Sequence, residues 1–216
     1  MTEYYAGQDL AKRRDYSALA ILERTNDDKL KLVFLKEWPH VDYKVVISDT
    51  KRIYKHFRWY RFGLDRSGIG DSIIEEYYNE YAEGIPFSAK TKEEMIEYII
   101  LLRQQGRLIL PRRGAEELIH QLEEQERILS DAGTVKFRPP SGRHDDLLWA
   151  FALACYVAKE GMETPAPFIM GLEYNPELSN PRDEMVDRAL GRFEGSGIRV
   201  TGVKIKMPGE DWKDLH

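Results

Sequence analysis

The chain reads as an α/β fold: one central mixed sheet of five or more strands with helices on both faces. Three observations predict it. Strand-like segments open the chain in close succession, strand and helix patterns then alternate, and a strongly apolar helix follows at about 145–159. Strand–helix–strand units behind an antiparallel opening favour a single layered sheet.

Tyr4 to Gly7 is the first strand, and Tyr16 to Arg24, with its apolar run Ser17 to Leu22, is the second. Asn26-Asp27-Asp28 is a turn signal. Lys29 to Trp38 alternates Leu30, Leu32 and Phe34 against Lys29 and Lys31, the pattern of a half-exposed strand that Pro39 stops. A helix over 43–57 turns Val46, Ile53 and Phe57 inward, and Trp59 to Leu64 is a strand ending in Asp65. Gly68 and Gly70 predict a turn into a helix over 71–81, and Ile85-Pro86-Phe87 a buried strand. Glu93 to Gln104 is a helix with Ile96, Ile99 and Ile100 inward, Leu108 to Leu110 a short strand, and Ala115 to Glu126 an amphipathic helix. Arg127 to Leu129 and Thr134 to Arg138 flank Asp131-Ala132-Gly133 as a hairpin. In the last helix Leu147, Ala150, Phe151 and Ala154 recur at i, i+3, i+4 and i+7. Beyond Gly161 the prolines Pro165, Pro167, Pro176 and Pro181 interrupt any periodicity, with Asp183 to Phe193 the one helical stretch. The expected organisation is a domain over 1–160 and a tail or small appendage over 161–216.

The 216 residues are 42% hydrophobic and 32% charged, the composition of a soluble globular protein. No run approaches a membrane span and no signal-peptide pattern opens the chain, so a cytoplasmic setting is expected. Cys155 is the single cysteine and lies within the apolar helix, a core residue and not a nucleophile. Trp38, Trp59 and Trp149 also read as core. The net charge of −5 speaks against a uniformly basic nucleic-acid face, but Lys12, Arg13 and Arg14 form a local basic cluster.

The chemistry is in the carboxylates. Asp9 and Asp65 lie at the carboxyl ends of predicted strands, where α/β sheets place ligands. Asp145 and Asp146 open the last helix behind His144. An Asp at a helix start is ordinarily a cap, and Asp145 is placed for that role, with Asp146 in the first turn. Two adjacent carboxylates repel, and a divalent cation relieves the repulsion. If the strands ending in Asp9 and Asp65 are parallel neighbours, the two carboxylates stand side by side and the helix adds a third. An all-oxygen site suits Mg²⁺ or Mn²⁺, not Zn²⁺. Paired ions of that kind serve phosphodiester hydrolysis. Asp15 reads as a turn former or a secondary ligand, and His144 as support. Lys12, Arg13 and Arg14 beside Asp9, and Arg66 beside Asp65, are the candidate phosphate contacts.

Gly7-Gln8-Asp9 with Asp15-Tyr16-Ser17-Ala18, the segment Gly63 to Asp71, and His144-Asp145-Asp146 with its apolar helix together resemble the nuclease domain of the large terminase subunit of tailed double-stranded DNA viruses. The likeness covers about residues 4–160. It implies a ribonuclease-H-like fold, with Asp9, Asp65 and Asp146 catalytic and binding two Mg²⁺ or Mn²⁺ ions. Asp145 and His144 are adjacent support or secondary ligands. It implies DNA cutting during genome packaging in the host cytoplasm. Its partners would be double-stranded DNA, a terminase ATPase domain, the small terminase subunit and the portal protein, with no membrane. The chain carries no Gly-x-x-x-x-Gly-Lys-Ser/Thr loop, so ATP hydrolysis is not expected of it, and it is read as an excised domain or a free-standing nuclease. The alternatives are another ribonuclease-H-like nuclease, such as a Holliday junction resolvase, and a non-catalytic DNA- or capsid-binding module. The second is disfavoured because such a module has no use for mutually repelling carboxylates.

Overall fold

The computed structural model describes residues 2–11, 16–69, 71–77, 82–129, 135–159 and 203–204. Its centre is a six-stranded mixed sheet in the order β5-β4-β1-β2-β3-β6. The strands are β1 (Glu3–Asp9), β2 (Tyr16–Arg24), β3 (Leu30–Pro39), β4 (Arg61–Asp65), β5 (Ala82–Ile85) and β6 (Leu108–Ile109). The first three run antiparallel in sequence, as expected. The β4 strand lies parallel to β1 and β5 parallel to β4, while β6 lies parallel to β3.

One face is covered by α1 (Tyr43–Phe57). Its Val46 and Ile47 pack with Ala6, Leu19, Ile21, Trp59, Phe62 and Leu64. The other face carries α4 (Ala89–Gln104), α5 (Glu116–Glu124) and α6 (Asp146–Ala158), which share a core with Tyr5, Ala18, Ala20 and Leu22. Side chains alternate along β1: Tyr5 belongs to the α6 side and Ala6 to the α1 side. Trp38, Trp59, Trp149 and Cys155 are buried, as their apolar neighbourhoods predict.

Several element boundaries differ from the sequence expectation. The first strand continues two residues beyond Gly7, so Asp9 is its last paired residue, opposite Ala18. The fourth strand begins at Arg61, because Arg58 closes α1 in the left-handed conformation (φ 48°) and Trp59 drops into the core ahead of the strand. The expected turn at Gly68 is helical: α2 (Arg66–Ile69) follows Asp65 directly, and α3 (Asp71–Glu76) ends earlier than position 81. The fifth strand lies ahead of Pro86, whose missing N–H cannot extend a ladder. Ser88 caps α4, its Oγ accepting from the Thr91 N–H at 3.1 Å, so that helix starts at Ala89, four residues before Glu93.

Helix α6 is not one-sided. All its residues except Tyr156 are buried, because it runs between the sheet and the α4–α5 layer. The predicted hairpin forms as β7 (Glu126–Leu129) with β8 (Val135–Arg138), antiparallel. A short β9 (Val203–Lys204) pairs antiparallel on the other edge of β7. Asp131 to Gly133, and the expected helix over Asp183 to Phe193, lie outside the described residues.

Candidate active site

Two glycines set the depth at which α6 meets the sheet. Gly7 and Gly63 are direct partners in the parallel β1–β4 pair. A Cβ on Gly7 would lie 2.2 Å from the Ala150 carbonyl oxygen and 2.2 Å from the Ala154 nitrogen. A Cβ on Gly63 would lie 2.9 Å from Val157 Cγ1. The helix backbone therefore rests on the strand backbone, a close approach only glycine permits. From Ala150 back to Asp146 is four helical residues, ~6 Å of rise, and from Gly7 on to Asp9 is two strand residues, ~6.6 Å. The contact at Gly7 thus brings Asp146 over the end of β1.

The sheet register supplies the second carboxylate. Gln8 pairs with Leu64 in parallel strands, so Asp9 and Asp65 are the next residues of neighbouring strands. This is the side-by-side placement that the sequence argument required. The electrostatics follow. Burial pushes the Asp9 carboxyl well above its ordinary range, and the negative charges of Asp146, then Asp65, push it further; Lys92 opposes them and Asp145 adds to them. Asp65 from the neighbouring strand, and Asp145 and Asp146 from the start of α6, thus all act on Asp9.

The tandem pair divides its roles. Asp145 holds the N-cap position, but its side chain makes no capping bond. Its Oδ2 instead accepts from the Trp149 indole N–H at 2.8 Å and from Gln125 Nε2 at 3.1 Å. The missing cap comes from α5: Gln121 Oε1 accepts from the Leu148 N–H at 3.0 Å. The expectation that Asp145 caps is therefore corrected. A buried glutamine supplies the acceptor, leaving Asp145 to fix a tryptophan. Asp146, 8% exposed, is turned toward the site, with His144 Nδ1 4.0 Å from its Oδ2.

His144 is exposed and stacks on Tyr16, ring centroids 4.0 Å apart. On the far side Glu37 is held above the usual carboxylate range by burial and by Glu117, with His144 pulling the other way. His144 thus lies between Tyr16 and Asp146. Arg66 is exposed and begins α2 immediately after Asp65. Lys12, Arg13, Arg14 and Asp15 lie outside the described residues. Their flanks are tied together by the Ala11 N–H donating to Ser17 Oγ at 3.0 Å.

The donor chemistry fits divalent cations: hard carboxylate oxygens in mutual repulsion, at the ends of rigid elements. Among the described residues no three of these ligands are already drawn together at metal-binding geometry. Asp65 Oδ1 accepts from the Ser67 N–H at 2.7 Å.

Lys92, Gln121 and Gln125 were not anticipated from the sequence. None belongs to a spacing motif. Each reaches the site through tertiary packing, and a lysine in the first turn of a helix carries no signal of its own.

A mixed sheet in this order, with a glycine-seated helix delivering an acidic residue to the ends of two parallel strands, defines a ribonuclease-H-like α/β domain. The sequence model of the Terminase RNaseH-like domain family matches residues 6–156, and the chain belongs to that family. Among solved structures it is similar to the large terminase nuclease of thermophilic phage G20c with bound magnesium: 23% identity, TM-score 0.62, covering 72% of this chain and 81% of that one. The Thermus phage P74-26 large terminase nuclease domain is similar at 22% identity and TM-score 0.60, over 71% of this chain and 78% of that one. The HK97 bacteriophage large terminase is similar at 18% identity and TM-score 0.59, over 73% of this chain and 40% of that one. A comparison with curated protein sequences found no match.

Proposed function

We propose that this chain is a divalent-metal-dependent DNA endonuclease of the large-terminase type, cutting phosphodiester bonds with Asp9, Asp65 and Asp146. The observation that carries the reading is the convergence of these carboxylates on Asp9, which burial and neighbouring negative charge hold well above its ordinary range. A fold without use for cations gains nothing from that repulsion. Two Mg²⁺ or Mn²⁺ ions held by these carboxylates would polarise the phosphate and make an attacking water acidic. Asp9 and Asp65 bind from the sheet, on strands that packing keeps rigid. Asp146 binds from α6, at a depth the Gly7 contact sets. Asp145 acts through Trp149 and Gln125, orienting the start of α6. His144, stacked on Tyr16, supports Asp146. Lys12, Arg13, Arg14 and Arg66 are the proposed phosphate contacts beyond the reacting bond, and the proposed partners are double-stranded DNA and the packaging machinery. Residues 161–216 are proposed to be a tail or small appendage to the nuclease domain.

Plasmid nicking and linearisation test the reading. Cleavage is expected with Mg²⁺ or Mn²⁺, none in chelator, and restoration when metal is returned. Undiminished cutting in chelator, or none under any metal, overturns it. A branched junction in the same assay separates a terminase-type nuclease from a junction resolvase: preferred cutting of the junction would favour the latter.

A further inference from the structure

We propose that Lys92 is a further catalytic residue of this site, an ammonium held on an aromatic platform to contact a non-bridging oxygen of the DNA phosphate being cut. The proposal rests on the nuclease reading above. Lys92 stands in the first turn of α4. Its Nζ lies 4.1 Å from the centroid of the Trp149 ring and 4.9 Å from that of Phe87. The two rings meet edge to face, centroids 5.6 Å apart, so the ammonium rests against both. The platform itself is fixed: Trp149 is 2% exposed and its indole is tied to Asp145 at 2.8 Å.

The neighbouring charges on α4 are spent elsewhere. Lys90 lies within ion-pair reach of Glu94, and Glu93 bonds Arg127 at 3.0 Å. Lys92 is held by ring faces instead. A cation–π contact restrains an ammonium without consuming its N–H donors on a carboxylate, so they remain for an anion. Through Trp149, whose indole bonds Asp145, the ammonium stands beside the start of α6 and its carboxylates. A positive group beside ligands for positive ions is a poor metal helper and a good partner for a phosphate. The phosphate's charge grows as the bond to the attacking oxygen forms.

The test compares the parent, K92M and K92R in two measurements. One is duplex cleavage at saturating Mn²⁺; the other is the Mn²⁺ concentration that gives the half-maximal rise in melting temperature. K92M is expected to lose kcat by about a hundredfold, the scale of losing one charge-stabilising donor, with little change in KM for DNA. K92R should recover much of that loss. The Mn²⁺ midpoint of K92M should be unchanged or lower, since a like charge has been removed. K92M cutting at the parent's rate, K92R as slow as K92M, or K92M with a weakened Mn²⁺ response would each overturn the proposal. A parent that cuts nothing overturns the nuclease reading and this proposal together, whereas an active parent with an equally active K92M sinks only the role of Lys92.

Discussion

Gln8 and Asp9 are neighbours on one strand, yet they face opposite sides of the sheet and live in opposite electrostatic conditions. Gln8 is fully buried on the α1 side and fully satisfied: its Nε2 donates to Thr50 Oγ1 at 3.0 Å, and its Oε1 accepts from the Tyr77 hydroxyl at 2.9 Å. Asp9, on the α6 side, is surrounded by the negative charges of Asp146, Asp65 and Asp145. The neutral amide is what a fold uses to lock a strand end. The crowded carboxylates are what a fold tolerates when something else is to bind. One residue of strand separates a structural polar site from the proposed functional one. The contrast can be broken from either side.

The largest effect is expected at Asp146. Asp146→Ala should all but abolish cleavage and reduce the Mn²⁺-induced rise in melting temperature, while leaving the metal-free protein as stable as the parent or more so. Asp145→Ala should behave differently. It leaves the buried Trp149 indole and Gln125 amide short of an acceptor, a loss of ~1–3 kcal/mol, with activity reduced in part. Nicking rates and melts of both variants at one metal concentration check this. Asp146→Ala that still cuts, beside an inactive but unaltered melt for Asp145→Ala, would reverse the assignment.

Next in size is Gly7→Ala. Its methyl has to displace helix backbone on two sides, with the Ala150 oxygen and Ala154 nitrogen both at 2.2 Å from the ideal position. The cost should reach or pass the upper end of the ~1–3 kcal/mol typical of overpacking. Any folded fraction should cut poorly, because α6 and Asp146 must rise off the strand ends. Thermal denaturation and a nicking rate measured well below the melt decide it. A variant that melts and cuts like the parent would mean that the helix seat does not set the site.

These residues also show how far the primary sequence reaches. The strand order at the start, the long helices and the placement of Asp9, Asp65 and Asp146 at element ends were legible, because alternation, periodicity and the ends of apolar runs are local signals. Gly7 was legible only as the end of the first strand, and the helix that rests on it needed the fold. The role of Asp145 was not legible. Capping propensity points to the residue ahead of the helix, but Gln121 arrives from α5 and takes that duty. Lys92 was invisible for the same reason, since its surroundings are Phe87 and Trp149, one of them far along the chain. The helical stretch through Gly68 was missed because glycine is a weak helix former, and the tertiary setting after Asp65 overrode that propensity.

The smallest expected effect is on pH dependence, and it probes the repulsion at Asp9 directly. In the folded state the Asp9 carboxyl holds its proton to well above the ordinary value of 3.8, because burial and the neighbouring carboxylates disfavour its charge. In the unfolded chain that penalty is absent. Below 3.8 both states carry the proton and Asp9 makes no difference to stability. As pH rises from there, the unfolded chain gives up the proton first, so the folded state binds more protons and loses stability. The loss stops growing once the folded-state carboxyl has also ionised. Asp49 does not confuse the window. Lys36 and Trp38 hold it below its ordinary value, so its contribution is lost on the acid side. Glu37 shifts in the same direction as Asp9 but is present in both proteins compared. Metal-free parent and Asp9→Asn should therefore melt alike near the ordinary carboxylate value, and Asp9→Asn should pull ahead as pH rises above it. Saturating Mn²⁺ should close the gap by stabilising the parent alone, since cations compete with the proton for the same oxygens. Melts of the two proteins across that range, in chelator and in Mn²⁺, make the comparison. Parallel curves in chelator would mean that Asp9 carries no repulsive load and is as settled on its side of the strand as Gln8 is on the other.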